Sequence, residues 1–227
     1  MASGRPGFMG WIWLGGLALL LVSAALYSIR MTPERLDQRA TAWPALASAH
    51  IGLTLDSLAF MQYVYPDDYA AIQWINNNIA GSPVMLTSRY GQYGNFSGRV
   101  GMFTGLPTVV DWGFEVAQQR YNLQTTDSGQ IYPEEVGLRE RNVVDVIYST
   151  TDPLQALDLL HQYNVSYVYV GVQERGDPSQ LSDPNAFHGY PAAGLAKFPT
   201  MVQLHELQLV YQHGSGQAGV QIYKVLP

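Results

Sequence analysis

The longest apolar run of the chain lies near its N-terminus, at residues 8–29. It reads FMGWIWLGGLALLLVSAALYSI and contains no charged residue. At about 1.5 Å of rise per residue, this run forms a helix long enough to cross a bilayer core of roughly 30 Å. Trp11 and Trp13 lie near one end and Tyr27 near the other, where aromatic side chains settle at the headgroup level. The pattern predicts one transmembrane helix, with a signal peptide as the alternative.

Polar residues follow the apolar run and predict a juxtamembrane helix and linker over residues 30–50. Thr32 is placed as the N-cap and Pro33 as the first helical residue, with the helix ending near Ala42. The remaining length suits one domain of ordinary size. The sequence therefore predicts four regions: a tail at 1–7, a membrane span at 8–29, a linker at 30–50 and a domain at 51–227.

The predicted domain contains three segments with a helical pattern. The first opens at Asp67, and the second spans about residues 136–148. The third follows Asp152, which is placed as N-cap with Pro153 at the first helical position. Gln155 stands three residues after the cap and is predicted to close a capping box.

Strand patterns alternate with these helices. β-Branched and aromatic runs predict strands at 83–89, 106–112 and 165–171. Two further runs surround Gly214, Ser215 and Gly216, which predicts a C-terminal β-hairpin. Residues 90–105 are predicted as a long glycine-rich loop, and residues 172–203 as a loop-rich region limited by prolines. The fold class that follows is α/β: one N-terminal transmembrane helix, then a mixed-sheet, Rossmann-like domain with a C-terminal hairpin.

Composition and charge exclude several classes of function. The net charge is −6, and the 12 Lys and Arg residues are scattered, so no basic stripe exists for nucleic acid. The chain has no cysteine, which excludes disulfides, thiol catalysis and cysteine-ligated metal. The five histidines show neither an HExxH arrangement nor i, i+4 spacing. We therefore expect no cofactor and no metal.

The residues with the most site-like chemistry surround the glycine-rich loop. Aromatic rings, carboxylates and arginines together suit a sugar-binding cleft, because a ring covers the apolar face of a sugar while charged groups bind its hydroxyls. Protein interfaces favour the same residue types, and a purely structural role in the core is the third reading. The candidates are Tyr90, Tyr93, Phe96, Arg99, Asp111, Trp112, Glu115 and Arg120.

Other charged residues receive simpler interpretations. Asp67 and Asp68 are expected to interact with the dipole of the helix that they begin. The charged residues between 134 and 141 alternate in sign, which is typical of an exposed helical face. Arg175 is a candidate partner for a carboxylate at the end of a strand. No nucleophile elbow or SxxK box is present, so we expect no catalytic activity.

Several stretches of the chain together resemble a known family. They are GLTLDSLAFM, PDDYAAIQWINNNIAG, GRVGMFTGLPTVVDW, and the pair VVDVIYSTTDP and YVYVGVQER. They look like the C-terminal extracytoplasmic domain of YYY-type membrane proteins, a multi-spanning family related to GT-C glycosyltransferases that use polyprenyl-linked sugars. The resemblance implies a cell-membrane protein with a cytoplasmic N-terminus and a periplasmic domain. The basic residues that follow the span, Arg30, Arg35 and Arg39, favour the opposite orientation.

The chain departs from that family in two ways. One helix replaces the many-helix membrane half that would carry the sugar-transfer machinery. The family also tends to have a His-Glu pair after the motif TGLPTV and a tryptophan, whereas this chain continues from Asp111 and Trp112 as Gly-Phe-Glu-Val without histidine. The resemblance therefore implies a fold and a compartment, whereas the two departures argue against sugar-transfer activity.

Two functional hypotheses follow from these observations. The first is a non-catalytic accessory subunit of a hetero-oligomeric membrane complex, anchored in the lipid bilayer and covering its extracytoplasmic face. An energy-transducing electron-transfer assembly is one natural host. The accessory-subunit hypothesis predicts that at least one of four aromatic residues touches another chain: Tyr90, Tyr93, Phe96 or Trp112. The second is a glycan-binding or auxiliary module of a GT-C-like glycosyltransferase system.

Overall fold

A computed structural model describes residues 7–42, 56, 58–89, 98–112, 116, 134–177 and 187–227. The chain divides into two compact units, Met1–Val64 and Tyr65–Pro227. The boundary predicted between residues 50 and 51 lies outside the described residues.

Among its described residues, the first unit has one long helix, α1 (Phe8–Ala42), and a single helical turn, α2 (Met61–Val64). Within the part of α1 from Phe8 to Arg35, the most apolar 18-residue window has a mean hydropathy of 2.0, so this helix is long and apolar enough to cross a membrane. Trp11, Trp13 and Tyr27 are all exposed on it. The predicted helix start at Thr32 is wrong, because α1 continues through Pro33. An established helix on both sides loses only local hydrogen bonding at a proline.

The second unit is a mixed α/β domain. Its strands are β1 (Val84–Leu86), β2 (Val165–Val170), β3 (Leu207–His213) and β4 (Val220–Val225). Its helices are α3 (Pro66–Asn78), α4 (Arg99–Thr104), α5 (Glu134–Leu138), α6 (Asp145–Ser149), α7 (Pro153–Gln162), α8 (Val172–Arg175), α9 (Ala192–Leu195) and α10 (Lys197–Gln203). A π-helical segment, Arg139–Val144, joins α5 to α6.

The four strands form one mixed sheet in the order β1-β2-β4-β3. β1 runs parallel to β2, while β4 is antiparallel to both β2 and β3. At the centre, Val168 pairs with Leu86 on one side and with Tyr223 on the other. The predicted fold class, with its mixed sheet and C-terminal hairpin, is confirmed.

Alternate residues of the strands enter two separate hydrophobic clusters. Leu86, Val168 and Tyr223 pack with residues of α6, α7 and α10, whereas Tyr169 and Ile222 pack with residues of α3 and α4. Successive side chains of a strand point to opposite faces. The sheet is therefore covered by helices on both faces and forms the middle of three layers.

Two regions predicted without helices contain them. Residues 99–104 of the glycine-rich stretch form α4, which ends at Gly105 with φ 70°. Residues 192–203 of the predicted loop-rich region contain α9 and α10. Pro199 lies in the first turn of α10, where its missing N–H would have no intrahelical partner. Prolines near a helix start therefore permit helices in this region.

The predicted strand at 106–112 is reduced to a single bridge. Thr108 pairs with Met85 in parallel orientation, and Met85 N donates to Pro107 O at 2.8 Å. Pro107 has no N–H to continue the ladder. The segment therefore lies along the outer edge of β1 without becoming a strand.

The predicted N-cap of α7 is present, but the predicted capping box is not. Asp152 Oδ1 accepts from Leu154 N at 3.0 Å, with Pro153 as the first helical residue. Gln155 does not close a capping box, because its Oε1 accepts from Thr150 Oγ1 at 2.6 Å. Thr150 Oγ1 in turn accepts from Asp152 N at 3.1 Å and satisfies the N–H that Gln155 was predicted to bond.

Candidate functional site

Polar groups converge where β1 and β2 end. Because the two strands are parallel, their carboxyl ends meet at one edge of the sheet, which is where open α/β sheets place their sites. Residues 87–89 follow β1, and residues 171–174 follow β2. Asp111 ends the segment that pairs with β1.

A buried ion network lies beneath this edge. Arg99 Nε donates to Asp68 Oδ1 at 2.6 Å, and Tyr169 OH donates to the same oxygen at 2.5 Å. Arg99 Nη2 lies 3.6 Å from Glu174 Oε2. Burial alone would lower the pKa of Arg99, but Asp68, Tyr169 and Glu174 more than offset it, so this pKa is raised. Arg99 stays charged and links α3, α4 and α8.

Glu174 connects the ends of the two parallel strands. Its Oε1 accepts from Ser88 N at 2.8 Å, and its Oε2 accepts from Gly171 N at 2.7 Å. The side chain is fully buried. One carboxylate thus binds the backbone after β1 and after β2 and fixes their spacing at the candidate site.

Asp111 is a carboxyl group at the end of the segment that pairs with β1. Thr87 Oγ1 donates to Asp111 Oδ1 at 2.5 Å. Burial raises the pKa of Asp111 to about 6, although the hydrogen bonds from Thr87 and Thr108 and the charge of Arg99 act in the opposite direction. A carboxyl group with a strongly raised pKa beside a cavity is a feature of functional sites.

A pocket of about 440 Å³ opens beside Asp111. Its wall is mainly apolar, with Met102, Leu106 and Val109 among the lining side chains, and its polar contributions come from Thr108, Asp111, Trp112 and Arg139. Trp112 has φ 49°, a conformation that is uncommon for residues other than glycine. Strained backbone of this kind clusters at ligand sites.

The indole ring of Trp112 lies against the backbone at Gly98. A Cβ built on Gly98 would be 2.5 Å from Trp112 Nε1. Trp112 Nε1 is buried and has no hydrogen-bond partner among the described residues. The absence of a side chain at Gly98 therefore allows the ring to form the wall of the pocket.

A second charged cluster surrounds Arg89, which follows β1. Arg89 binds Asp145 through two hydrogen bonds, from Nε to Oδ1 at 2.8 Å and from Nη2 to Oδ2 at 2.6 Å. Glu140 Oε2 is 3.8 Å from Arg89 Nη1 and is only 4% exposed. The prediction of an exposed charged face is therefore wrong for Glu140, although Arg141 is exposed.

The structure brings together the predicted site residues that it describes. Asp111 and Trp112 line the pocket. Arg99, which the sequence placed among the contact residues, is 1% exposed and supports the site from the interior. The other predicted residues lie outside the described part of the chain: Tyr90, Tyr93, Phe96, Glu115 and Arg120.

Sequence reasoning missed the residues that hold Arg99 and Asp111. Asp68 lies in the first turn of α3, as its predicted interaction with the helix dipole requires, and it is in addition a buried partner of Arg99. Thr87, Tyr169 and Glu174 carried no motif. The available signal was positional, since Thr87 lies near the end of the predicted strand 83–89 and Glu174 lies three residues after the predicted strand 165–171.

Gly98→Ala is expected to lower the free energy of unfolding by about 1–3 kcal/mol, because the added methyl group overlaps the ring of Trp112. Urea unfolding of the full chain in detergent, followed by near-ultraviolet circular dichroism, measures the change. Gly137→Ala is the control, because a Cβ there meets only the flexible end of Arg141. Equal stability of both variants would contradict the placement of Trp112 against Gly98.

The described residues form an α/β domain with a pocket beside the 106–112 segment, and an N-terminal helix that is long and apolar enough to cross a membrane. No family model and no curated protein matches the sequence. The chain is similar to a solved structure, the C-terminal globular domain of the oligosaccharyltransferase from Archaeoglobus fulgidus. The identity is 11% and the TM-score 0.38, with 78% of this chain and 100% of that chain covered. A TM-score of this size assigns neither a fold family nor a function.

Proposed function

We propose that this protein is a single-pass, membrane-anchored saccharide-binding module that assists a membrane-bound glycosyltransferase system. The pocket beside Asp111 and Trp112 is the binding site in this proposal, and the extracytoplasmic side of the membrane is the location of the domain. The observation that carries it is the juxtaposition of an indole ring and a buried carboxyl group in one pocket of about 440 Å³.

The chemistry of the pocket supports a saccharide. An indole face covers the apolar C–H face of a sugar, and a carboxyl group with Thr87 as its partner is oriented to bind hydroxyl groups. Asp111 titrates with a pKa of about 6, so it accepts hydrogen bonds when charged and donates one when neutral. Arg139 also lines the pocket and adds donors.

Binding without catalysis is the form of activity that we propose. Glycoside chemistry commonly uses two carboxyl groups about 5–9.5 Å apart on either side of the reacting bond. Among the described residues that line the pocket, Asp111 is the sole carboxylate. Asp68 and Glu174 are committed to Arg99 and to backbone N–H groups beneath the pocket.

Anchoring and topology rest on separate observations. The apolar exposed surface of α1 supports insertion in a bilayer. The resemblance of the sequence to the YYY-type extracytoplasmic domain supports the outward orientation. Labelling of single cysteines placed in the domain and near the N-terminus, with an impermeant maleimide on intact cells, tests it. Reaction at the N-terminus alone would contradict the orientation.

Isothermal titration of the full chain in neutral detergent with chitotriose, mannotriose and an undecaprenyl-pyrophosphate-linked trisaccharide tests saccharide binding. We expect one of them to bind, and Trp112→Leu and Asp111→Asn each to weaken binding about tenfold, which corresponds to about 1.4 kcal/mol. Trp74→Leu is the matched control, because Trp74 packs on Tyr211 outside the pocket. No binding by any probe, or equal loss in Trp74→Leu, would overturn the proposal.

A second candidate function is favoured by the exposed apolar residues at the same pocket. Met102, on the pocket wall, is 47% exposed, and Leu138, next to the lining residue Arg139, is 42% exposed. Such residues suit the apolar core of a protein interface. The corresponding proposal is a non-catalytic accessory subunit of a membrane complex, with an electron-transfer assembly as one possible host.

Mild-detergent co-purification of a tagged chain distinguishes the two candidates. A stoichiometric partner that is lost in Met102→Asp but retained in Leu204→Asp supports the accessory subunit, because Leu204 is exposed, at 58%, but lies outside the pocket. Purification of a single subunit that binds a saccharide supports the binding module.

A further inference from the structure

Arg175 occupies an unusual position at the end of α8. The sequence predicts a carboxylate partner for it, but its guanidinium group binds carbonyl oxygens instead. Nη1 donates to Val170 O at 3.1 Å and to Gly219 O, and Nη2 donates to Gln221 Oε1 at 2.8 Å. Within the described residues, no carboxylate lies at ion-pair distance from Arg175. A half-buried positive charge therefore remains unneutralised in a chain of net charge −6.

Arg175 also lines two cavities. One, of about 350 Å³, has Tyr190, Ala196 and Gln217 in its lining as well. The other, of about 240 Å³, is formed by Arg175 and the β3–β4 turn that includes Ser215. Gln221 lines both cavities. Arg175 and Gln221 are thus shared by the two cavities, which together form the cleft around these residues.

The hydrogen bonds that Arg175 already makes determine which of its N–H groups are left to bind a ligand. Three of the five N–H groups of Arg175 are used, which leaves Nε–H and one N–H of Nη2. Nε and Nη2 form one edge of the guanidinium fork, which matches two oxygens of a phosphate or carboxylate. Because Gln221 Oε1 accepts from Arg175, the Nε2 amide of Gln221 is left to donate. The Ser215 hydroxyl adds a further donor to the lining.

We propose that the cleft around Arg175 and Gln221 is a binding site for a phosphate group, separate from the saccharide pocket. The fixed guanidinium group supplies the charge, and it is held in place by backbone carbonyls that do not neutralise it. His213 lines the same cleft and is tied to Asp67 at 2.9 Å, the carboxylate closest to the turn. The phosphate belongs either to a soluble ester or to a lipid headgroup, since both present the same oxygens.

Equilibrium dialysis of radiolabelled inorganic phosphate against the full chain in neutral detergent at pH 7 tests the site. Gln221→Glu places a carboxylate against Arg175 and keeps the arginine, so the fold is retained while the charge is neutralised. We expect phosphate binding to weaken at least about tenfold in Gln221→Glu and to weaken in Arg175→Lys, which loses the fork.

Gln208→Glu is the control, because it introduces the same change of charge as Gln221→Glu at another position. Gln208→Glu alters the same hairpin at an exposed position that pairs with Lys224, and it is expected to bind phosphate as the unaltered chain does. Failure of the unaltered chain to bind phosphate, or equal binding by Gln221→Glu, would overturn the proposal. The saccharide titration of both variants stays unchanged, which separates this site from the pocket beside Asp111.

Displacement of the labelled phosphate identifies its source. Glycerol 3-phosphate and short-chain dihexanoyl phosphatidic acid carry the same phosphate group. Displacement at equal concentrations supports a soluble ester. A clear preference for dihexanoyl phosphatidic acid supports a lipid headgroup, because only the acyl chains differ between the two probes.

Discussion

Arg99→Met is expected to lower the free energy of unfolding of the domain by about 3–5 kcal/mol, because it leaves buried carboxylates without their cation. Asp68 and Glu174 are 1% and 0% exposed, and Arg99 Nε is 2.6 Å from Asp68 Oδ1. Methionine fills a similar volume, so the loss reports the uncompensated charge and not a cavity. Urea unfolding of the full chain in detergent, followed by near-ultraviolet circular dichroism, measures it.

Two further variants make the result specific to the ion network. Arg141→Met removes an exposed arginine and is expected to change stability by no more than about 0.5 kcal/mol. Asp68→Asn combined with Arg99→Met is expected to lose less than the sum of the single changes, because the two groups are in direct contact. An Arg99→Met variant as stable as Arg141→Met would show that the network does not hold α3, α4 and α8 together.

The fold was predictable where local pattern and tertiary packing agree. Residues 165–170 combine β-branched and aromatic residues, and both faces of β2 are buried, so propensity and burial favour the same state. Asp152 and Pro153 specify the start of α7 within a few residues of sequence. The hairpin is likewise specified locally, since Gly214 and Gly216 adopt φ values of 68° and 65° between its strands.

Prediction failed where a residue with a known preference meets a stronger local constraint. Glycines at 98, 101 and 105 suggest a loop, yet residues 99–104 form a helix because Val100 packs with Leu106 and Ile75 in the core. Propensity is a weak prior that such packing overrides. Pro33 and Pro199 likewise suggest interruptions, and their positions within α1 and at the start of α10 follow from helices built by neighbouring residues.

The site was predictable only in part because its chemistry is non-local. Asp111 and Trp112 stood out by residue type beside a glycine-rich stretch. Asp68 and Glu174 reach Arg99 across 31 and 75 positions of sequence, respectively, and no spacing rule in the chain encodes such pairs. The parallel pairing of β1 with β2 brings Ser88 and Glu174 together. The topology, rather than a motif, assembles the supporting residues.

Asp111→Asn is expected to stabilise the domain at pH 7 by up to about 3 kcal/mol. The pKa of Asp111 rises from its ordinary value of 3.8 to about 6 on folding, chiefly through burial, and this difference corresponds to about 3 kcal/mol. The folded state therefore holds its proton more tightly than the unfolded state. The contribution favours folding below pH 3.8 and is lost as the pH rises through 6. Asparagine is neutral throughout and avoids this loss.

Urea unfolding of the full chain between pH 4 and pH 7, followed by near-ultraviolet circular dichroism, measures how the free energy of unfolding depends on pH. We expect this dependence to differ between the unaltered chain and Asp111→Asn. The unaltered chain loses stability across this range relative to Asp111→Asn, while Asp158→Asn, an exposed change of the same type on α7, follows the unaltered chain. Parallel curves for Asp111→Asn and the unaltered chain would show that the carboxyl group is not desolvated as the structure indicates.

The same substitution is expected to weaken saccharide binding about tenfold while it strengthens the fold. A gain in the free energy of unfolding together with a loss of saccharide binding would show that Asp111 contributes to binding and lowers the stability of the domain. A purely structural carboxyl group would give another result, since its removal would leave saccharide binding unchanged or reduce both properties together. The burial of Asp111 beside Thr87, with Trp112 on the same wall, is the arrangement that makes the two effects separable.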